Sequence, residues 1–107
     1  MIVMHGLFGL KDDCDEVQFR DSFDAFSGHL KQLNLLITWR FMRQEPHDGY
    51  NRRPPEAPYY VSMEFLDNDQ AEACWAYVEQ DEEPLKSLHR AMNRQVQNTQ
   101  FFLSSDV

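Results

Sequence analysis

Residues 35–44, Leu-Leu-Ile-Thr-Trp-Arg-Phe-Met-Arg-Gln, constrain the fold more than any other stretch. A strand points alternate side chains to opposite faces. Positions 35, 37, 39 and 41 are then Leu, Ile, Trp and Phe, a wholly apolar face that needs a core to cover it. Positions 36, 38, 40 and 42 are Leu, Thr, Arg and Met, which mixes methyl groups with a hydroxyl and a guanidinium and reads as the lining of a space.

The stretch Tyr59–Leu66 repeats the pattern, with Tyr59, Val61, Met63 and Phe65 on one face and Tyr60, Ser62, Glu64 and Leu66 on the other. If the two strands pair as an antiparallel hairpin, Thr38, Arg40, Tyr60, Ser62 and Glu64 share the second face. The intervening Glu45–Pro58 holds four of the five prolines, Gly49 and the pair Arg52-Arg53, and reads as a loop. It is longer than most connections and suits a flap, a dimer arm or a variable insertion.

Before this hairpin the chain predicts a strand and a helix. Ile2–Leu10 mixes β-branched, aromatic and glycine residues. Its two sets, Ile2, Met4 and Phe8 against Val3 and Leu7, are both apolar, as in a central strand, and His5 belongs to the second. Asp13 and Glu16 have capping-box spacing, and Phe19, Phe23, Phe26, Leu30 and Leu33 then recur at helical intervals, with Ser27 among the residues on the other side. Asn34 is placed to end that helix.

After the hairpin, Asp69 and Glu72 suggest a second cap, and Ala71, Cys74, Trp75 and Val78 form a narrow apolar stripe. Pro84 interrupts it, so Leu85, Leu88 and Met92 belong to a separate short helix. A last strand is expected over Val96–Leu103, where Phe101-Phe102-Leu103 suggests a bulge or an end buried on both faces.

Charge and length exclude several classes. A chain of 107 residues is expected to be one domain, 1–107. Its net charge of −8 repels polyanions, so nucleic acid and anionic membrane are poor partners. The first residues carry no basic segment and no apolar run is long enough to span a bilayer, which makes a cytoplasmic location the expectation. Cys14 and Cys74 lack metal or disulfide spacing and read as reduced thiols, Cys74 as a packing residue.

Strand, helix, strand, strand, helix, strand is the split βαβ order, normally a four-stranded antiparallel sheet with its helices on one face. The bare face would carry Leu36, Met42, Tyr60 and Leu66, too much apolar surface for a monomer, and a symmetric dimer of facing sheets covers it. With Ile37-Thr38-Trp39-Arg40, Tyr60-Val61-Ser62-Met63-Glu64 and the tail Ala91–Asn98, the chain resembles the dimeric α+β barrel superfamily, especially its small stress-responsive-type and uncharacterised members. The resemblance implies an α+β, ferredoxin-like fold that dimerises through the open sheet face into a barrel. It also implies a small organic molecule held between the sheets, or between sheet and helices. Some members are cofactor-independent monooxygenases, isomerases or decarboxylases, some bind haem, and many have no known activity.

The expected function is the binding of an amphipathic or hydrophobic molecule, a carboxylic acid among the candidates, with Leu36, Thr38, Arg40, Met42, Tyr60, Ser62 and Glu64 as lining. Arg40 suits a carboxylate because guanidinium binds it bidentately, although a structural ion pair with Glu64 is the simpler role. The enzyme alternative uses His5 as base, with Arg40 and Tyr60 to orient or polarise. A structural dimer without ligand is the remaining alternative. No metal or cofactor is expected: His29, His47 and His89 have no metal spacing, and neither His5 nor His89 sits in a haem motif. An RNA-recognition motif shares the element order, but the basic and glycine positions of its signature are missing around Tyr60-Val61.

Overall fold

The computed structural model describes residues 1–50 and 55–107; Arg52 and Arg53 lie outside the described residues. Seven elements follow in order: β1 (Ile2–Leu10), α1 (Glu16–Gln32), β2 (Thr38–Arg43), β3 (Tyr59–Phe65), α2 (Asn68–Glu79), α3 (Leu85–Asn93) and β4 (Val96–Ser105). The strands form one antiparallel sheet in the order β2-β3-β1-β4, so β1 is a central strand, as its two apolar sets suggest.

Register follows from the alternation. Trp39 opposes Met63 and Phe41 opposes Val61, so the two apolar faces coincide and turn toward the helices. Phe8, Phe19, Phe23, Phe26, Leu30, Val61 and Phe65 are buried together there. At full burial each such side chain contributes about 1.5–3 kcal/mol before entropy is counted.

The helix starts differ from the capping boxes read in the sequence. Cys14 N–H bonds Lys11 C=O and closes a turn, which leaves Asp15 extended to accept from Gln18 N–H at 2.8 Å. Asp67, not Asp69, caps α2, accepting from Gln70 N–H at 2.9 Å. Asn34 does end α1, in the left-handed conformation at φ 59°. Leu33 falls past the last turn and is exposed, whereas Ser27, expected outside, is buried.

The last strand alternates through Phe101, Phe102 and Leu103, all three exposed. Its irregularity comes earlier, where the β1–β4 register shifts between Leu7 and Gly9, near Asn98 at φ 56°. Gly9 is required there: a Cβ would stand 2.5 Å from the Glu56 carbonyl oxygen, and buried Ala57 follows. The end of the long loop is thus seated against β1, and Gln44 N–H donating to Pro58 C=O continues the hairpin ladder.

Candidate functional site

Both helical layers lie on one side, and the molecule is a slab of 41 × 38 × 18 Å whose other sheet face is bare. On that face the pairings set three rows across β2, β3, β1 and β4: Thr38, Glu64, Val3, Ser104; Arg40, Ser62, His5, Phe102; Met42, Tyr60, Leu7, Gln100. His5, Thr38, Arg40, Met42, Tyr60, Ser62 and Glu64 therefore share one wall. Leu36 does not join them. It is 2% exposed and belongs to the core under the helices, because β2 begins only at Thr38 and residues before it do not follow the strand alternation.

Several side chains on this wall interact. The Tyr60 hydroxyl and His5 Nδ1 are hydrogen-bonded at 2.7 Å, and the His5 ring stacks on Phe102 with centroids 4.6 Å apart and planes 11° from parallel. His5 Nε2 is buried without a hydrogen-bond partner among the described residues. The anticipated Arg40–Glu64 ion pair is not formed among them: Arg40 opposes Ser62, and Glu64 opposes Thr38. Met42 and Phe102 are 48% and 49% exposed, which leaves apolar surface at both edges.

A half-open pocket lies behind this wall. Between sheet and helices is a cavity of about 210 Å³, lined by Met4, Phe26, Met63, Trp75, Met92 and Phe101 among others, with His89 and Asn93 as its polar edge. Burial pushes the His89 imidazole below its usual range, opposed by the charge of Asp81, which favours the neutral ring. Its ring stacks on Phe26, and the Asn93 side-chain amide lies 3.0 Å from Nε2. In the sequence His89 stands on the short helix with neither metal spacing nor a haem motif around it. The 3.6-residue spacing that places it beside Met92 and Asn93 was legible, but the helix had no partner to define a cavity. The other apolar groups, Cys74 among them, behave as packing, and burial pushes the Cys74 thiol up to about 11.

A third feature is a polar cleft of about 720 Å³ where the start of α1 meets the end of the long loop. At its margin Glu16 accepts from the Tyr59 hydroxyl at 2.9 Å and from Arg43 at 3.0 and 3.1 Å. The Tyr59 bond, then the Arg43 bonds, hold the Glu16 carboxyl below the usual carboxylate range. A depressed carboxylate stabilises the fold above its unfolded pKa and loses that contribution as pH falls through the folded one. Glu16→Gln is therefore expected to flatten the acid limb of stability below about pH 4.5. Urea midpoints measured against pH check this, and an unchanged limb would contradict it.

An antiparallel sheet in this order with helices on a single face defines an α+β, ferredoxin-like domain. The chain belongs to a family of unknown function (DUF6614), whose model matches residues 1–106. Its fold is similar to that of a protein from Arabidopsis thaliana at TM-score 0.76, with 5% identity over 100% of this chain and 96% of that one. It is also similar to a point variant of SnoaB, a cofactor-independent oxygenase from Streptomyces nogalater, at TM-score 0.68 and 10% identity over 98% and 91%. A dimeric ferredoxin-like protein of unknown function from Jannaschia sp. CCS1 matches at TM-score 0.66 and 11% identity over 99% and 100%. No curated protein matches the chain. At these identities the likeness carries the fold alone, and among the described residues no helix is long and apolar enough to cross a membrane.

Proposed function

We propose that the chain works as a homodimer built on its bare sheet face and holds a small hydrophobic or amphipathic organic molecule between sheet and helices. The observation that carries this reading is the apolar cavity with a single polar edge. An engineered apolar cavity of about 150 Å³ takes benzene, so about 210 Å³ suits a one-ring molecule with short substituents. No cationic side chain lines the space, which favours a hydroxyl or carbonyl at His89 over a carboxylate. The Jannaschia protein, dimeric by description, supports the assembly.

A second reading is favoured by the wall itself. Arg40 lies in the row of His5 and beside Tyr60, so an acid enclosed between two facing sheets would meet a guanidinium and two hydrogen-bonding groups. In the enzyme form of this reading, a cofactor-independent monooxygenase, isomerase or decarboxylase, His5 with Tyr60 supplies the base.

Native mass spectrometry of the freshly purified chain tests both, followed by extraction of anything bound. A dimer carrying a discrete extra mass is the expected result. Loss of that mass in His89→Ala but not Arg40→Ala assigns it to the cavity, and the reverse assigns it to the open wall. A dimer at bare mass that takes up no single-ring phenol or ketone at millimolar concentration overturns the ligand reading.

A further inference from the structure

Two voids between sheet and helices share a wall. The pocket of about 210 Å³ and an apolar void of about 50 Å³ among Phe8, Phe19 and Phe23 are both bounded by Met4, Met63, Met92, Asn93 and Phe101. Inside, this partition is made of methionines, one each from β1, β3 and α3. At the rim it is made of Asn93 and Phe101, which are both exposed. We infer that one molecule occupies both voids: an aryl alkyl ketone whose ring fills the larger, whose unbranched alkyl arm enters the smaller, and whose carbonyl oxygen sits at Asn93. The inference rests on the pocket reading proposed above and adds to it the shape and class of the ligand.

The shape follows from which walls can move. Methionine is unbranched and turns about three bonds, so a partition of thioethers yields to a narrow chain at little cost. The far wall of the smaller void is stiff. Phe8, Phe19 and Phe23 are each 2% exposed, and their rings stand in series with centroids 4.8 and 5.8 Å apart. A void of about 50 Å³ holds roughly two groups of water's size, at ~30 Å³ each, so it takes the last two carbons of a chain and not a second ring. One more carbon crosses the partition, which sets the arm at about three carbons.

The class follows from polarity. The larger void is polar at His89 and Asn93 and the smaller at Asn93 and Thr99, so Asn93 is the polar side chain that reaches both. Its amide nitrogen lies 3.0 Å from His89 Nε2 and gives that atom one of its two hydrogens. The other hydrogen has no partner among the described residues, and a carbonyl oxygen at the rim accepts it. A ketone carbon carries one such acceptor between two apolar arms, which is the pattern of the two voids about Asn93. A phenol puts its oxygen on the ring and has no arm for the smaller void. A carboxylate would find no cation in either.

Titration calorimetry of the full chain with acetophenone, propiophenone, butyrophenone and hexanophenone tests this. The dissociation constant is expected to fall ~4-fold with each methylene as far as butyrophenone, and hexanophenone is expected to gain nothing more. Val61 lines the smaller void alone, so Val61→Ile is expected to abolish the gain beyond acetophenone and to leave acetophenone within ~2-fold. Val61→Ala, which enlarges the same void, is expected to move the optimum to a longer chain. Asn93→Ala, at an exposed position, is expected to weaken butyrophenone ~5-fold and butylbenzene, which lacks the carbonyl, less than ~2-fold. A series flat in chain length, a gain that survives in Val61→Ile, or equal effects of Asn93→Ala on ketone and hydrocarbon overturns the inference, and acetophenone binding then leaves the pocket reading standing. If no ketone binds, the inference is overturned, and phenol titrated alongside decides whether the pocket reading falls with it.

Discussion

Phe23→Ala is expected to cost about 3–5 kcal/mol of stability, because it removes a whole ring from a position the core closes around. Phe23 is 2% exposed, stacks on Phe19 with centroids 5.8 Å apart, and meets Met4, Phe8, Val61 and Met92 around a void of about 50 Å³. The neighbours come from four separate elements, so no one segment can move in to refill the space. A domain this size has only about 5–15 kcal/mol in total, and the loss would bring the urea midpoint down by about a fifth or more. Leu33→Ala gives the contrast. Its side chain is exposed beyond the last turn of α1, and a change within about 0.5 kcal/mol is expected. A Phe23→Ala variant that unfolds with the midpoint of Leu33→Ala would show that the helix is not held by this row of rings.

That row was legible in the sequence because three phenylalanines and a leucine at spacings of four, three and four leave a helix no other face to bury. The hairpin was legible for a similar reason. Trp39 and Phe41 have to share a face with Val61 and Met63, and a slip of β2 by one residue would turn both Trp39 and Phe41 out of the core. The errors arose where local pattern met tertiary context. Leu36 alternates correctly on paper, but the strand has not yet begun, and the core takes it. Asp13 and Asp15 are equally good caps by composition, and the Lys11–Cys14 turn decides between them. Ser27 follows Phe23 by four residues and Phe19 by eight, so on a helical wheel it flanks the phenylalanines rather than opposing them, and it is buried with them. The cavity was invisible for a related reason: Met4, Phe26, Trp75, His89 and Phe101 come from five elements, and no spacing within one element reports how they meet.

Leu7→Asp is expected to break the proposed dimer and leave the fold intact. Leu7 lies on the bare face, opposite Tyr60 on one side and Gln100 on the other, in the row next to His5. In a single chain water reaches that face, so the new carboxylate stays hydrated and the circular dichroism and urea midpoint should hold. In a face-to-face dimer the same carboxylate is buried among apolar groups near its own counterpart. An uncompensated buried charge costs about 3–5 kcal/mol, a weakening of the dimer on the order of a thousandfold. Val17→Asp, on an exposed position of α1, should leave assembly unchanged. The monomeric variant also separates the two ligand readings. A molecule lodged between sheet and helices touches one chain only and should remain with the Leu7→Asp monomer. A molecule held at Arg40 between two sheets loses half of its enclosure and should be released. A Leu7→Asp chain that sediments as a tight dimer would place the interface on some other surface, and the bare wall would then need a different occupant.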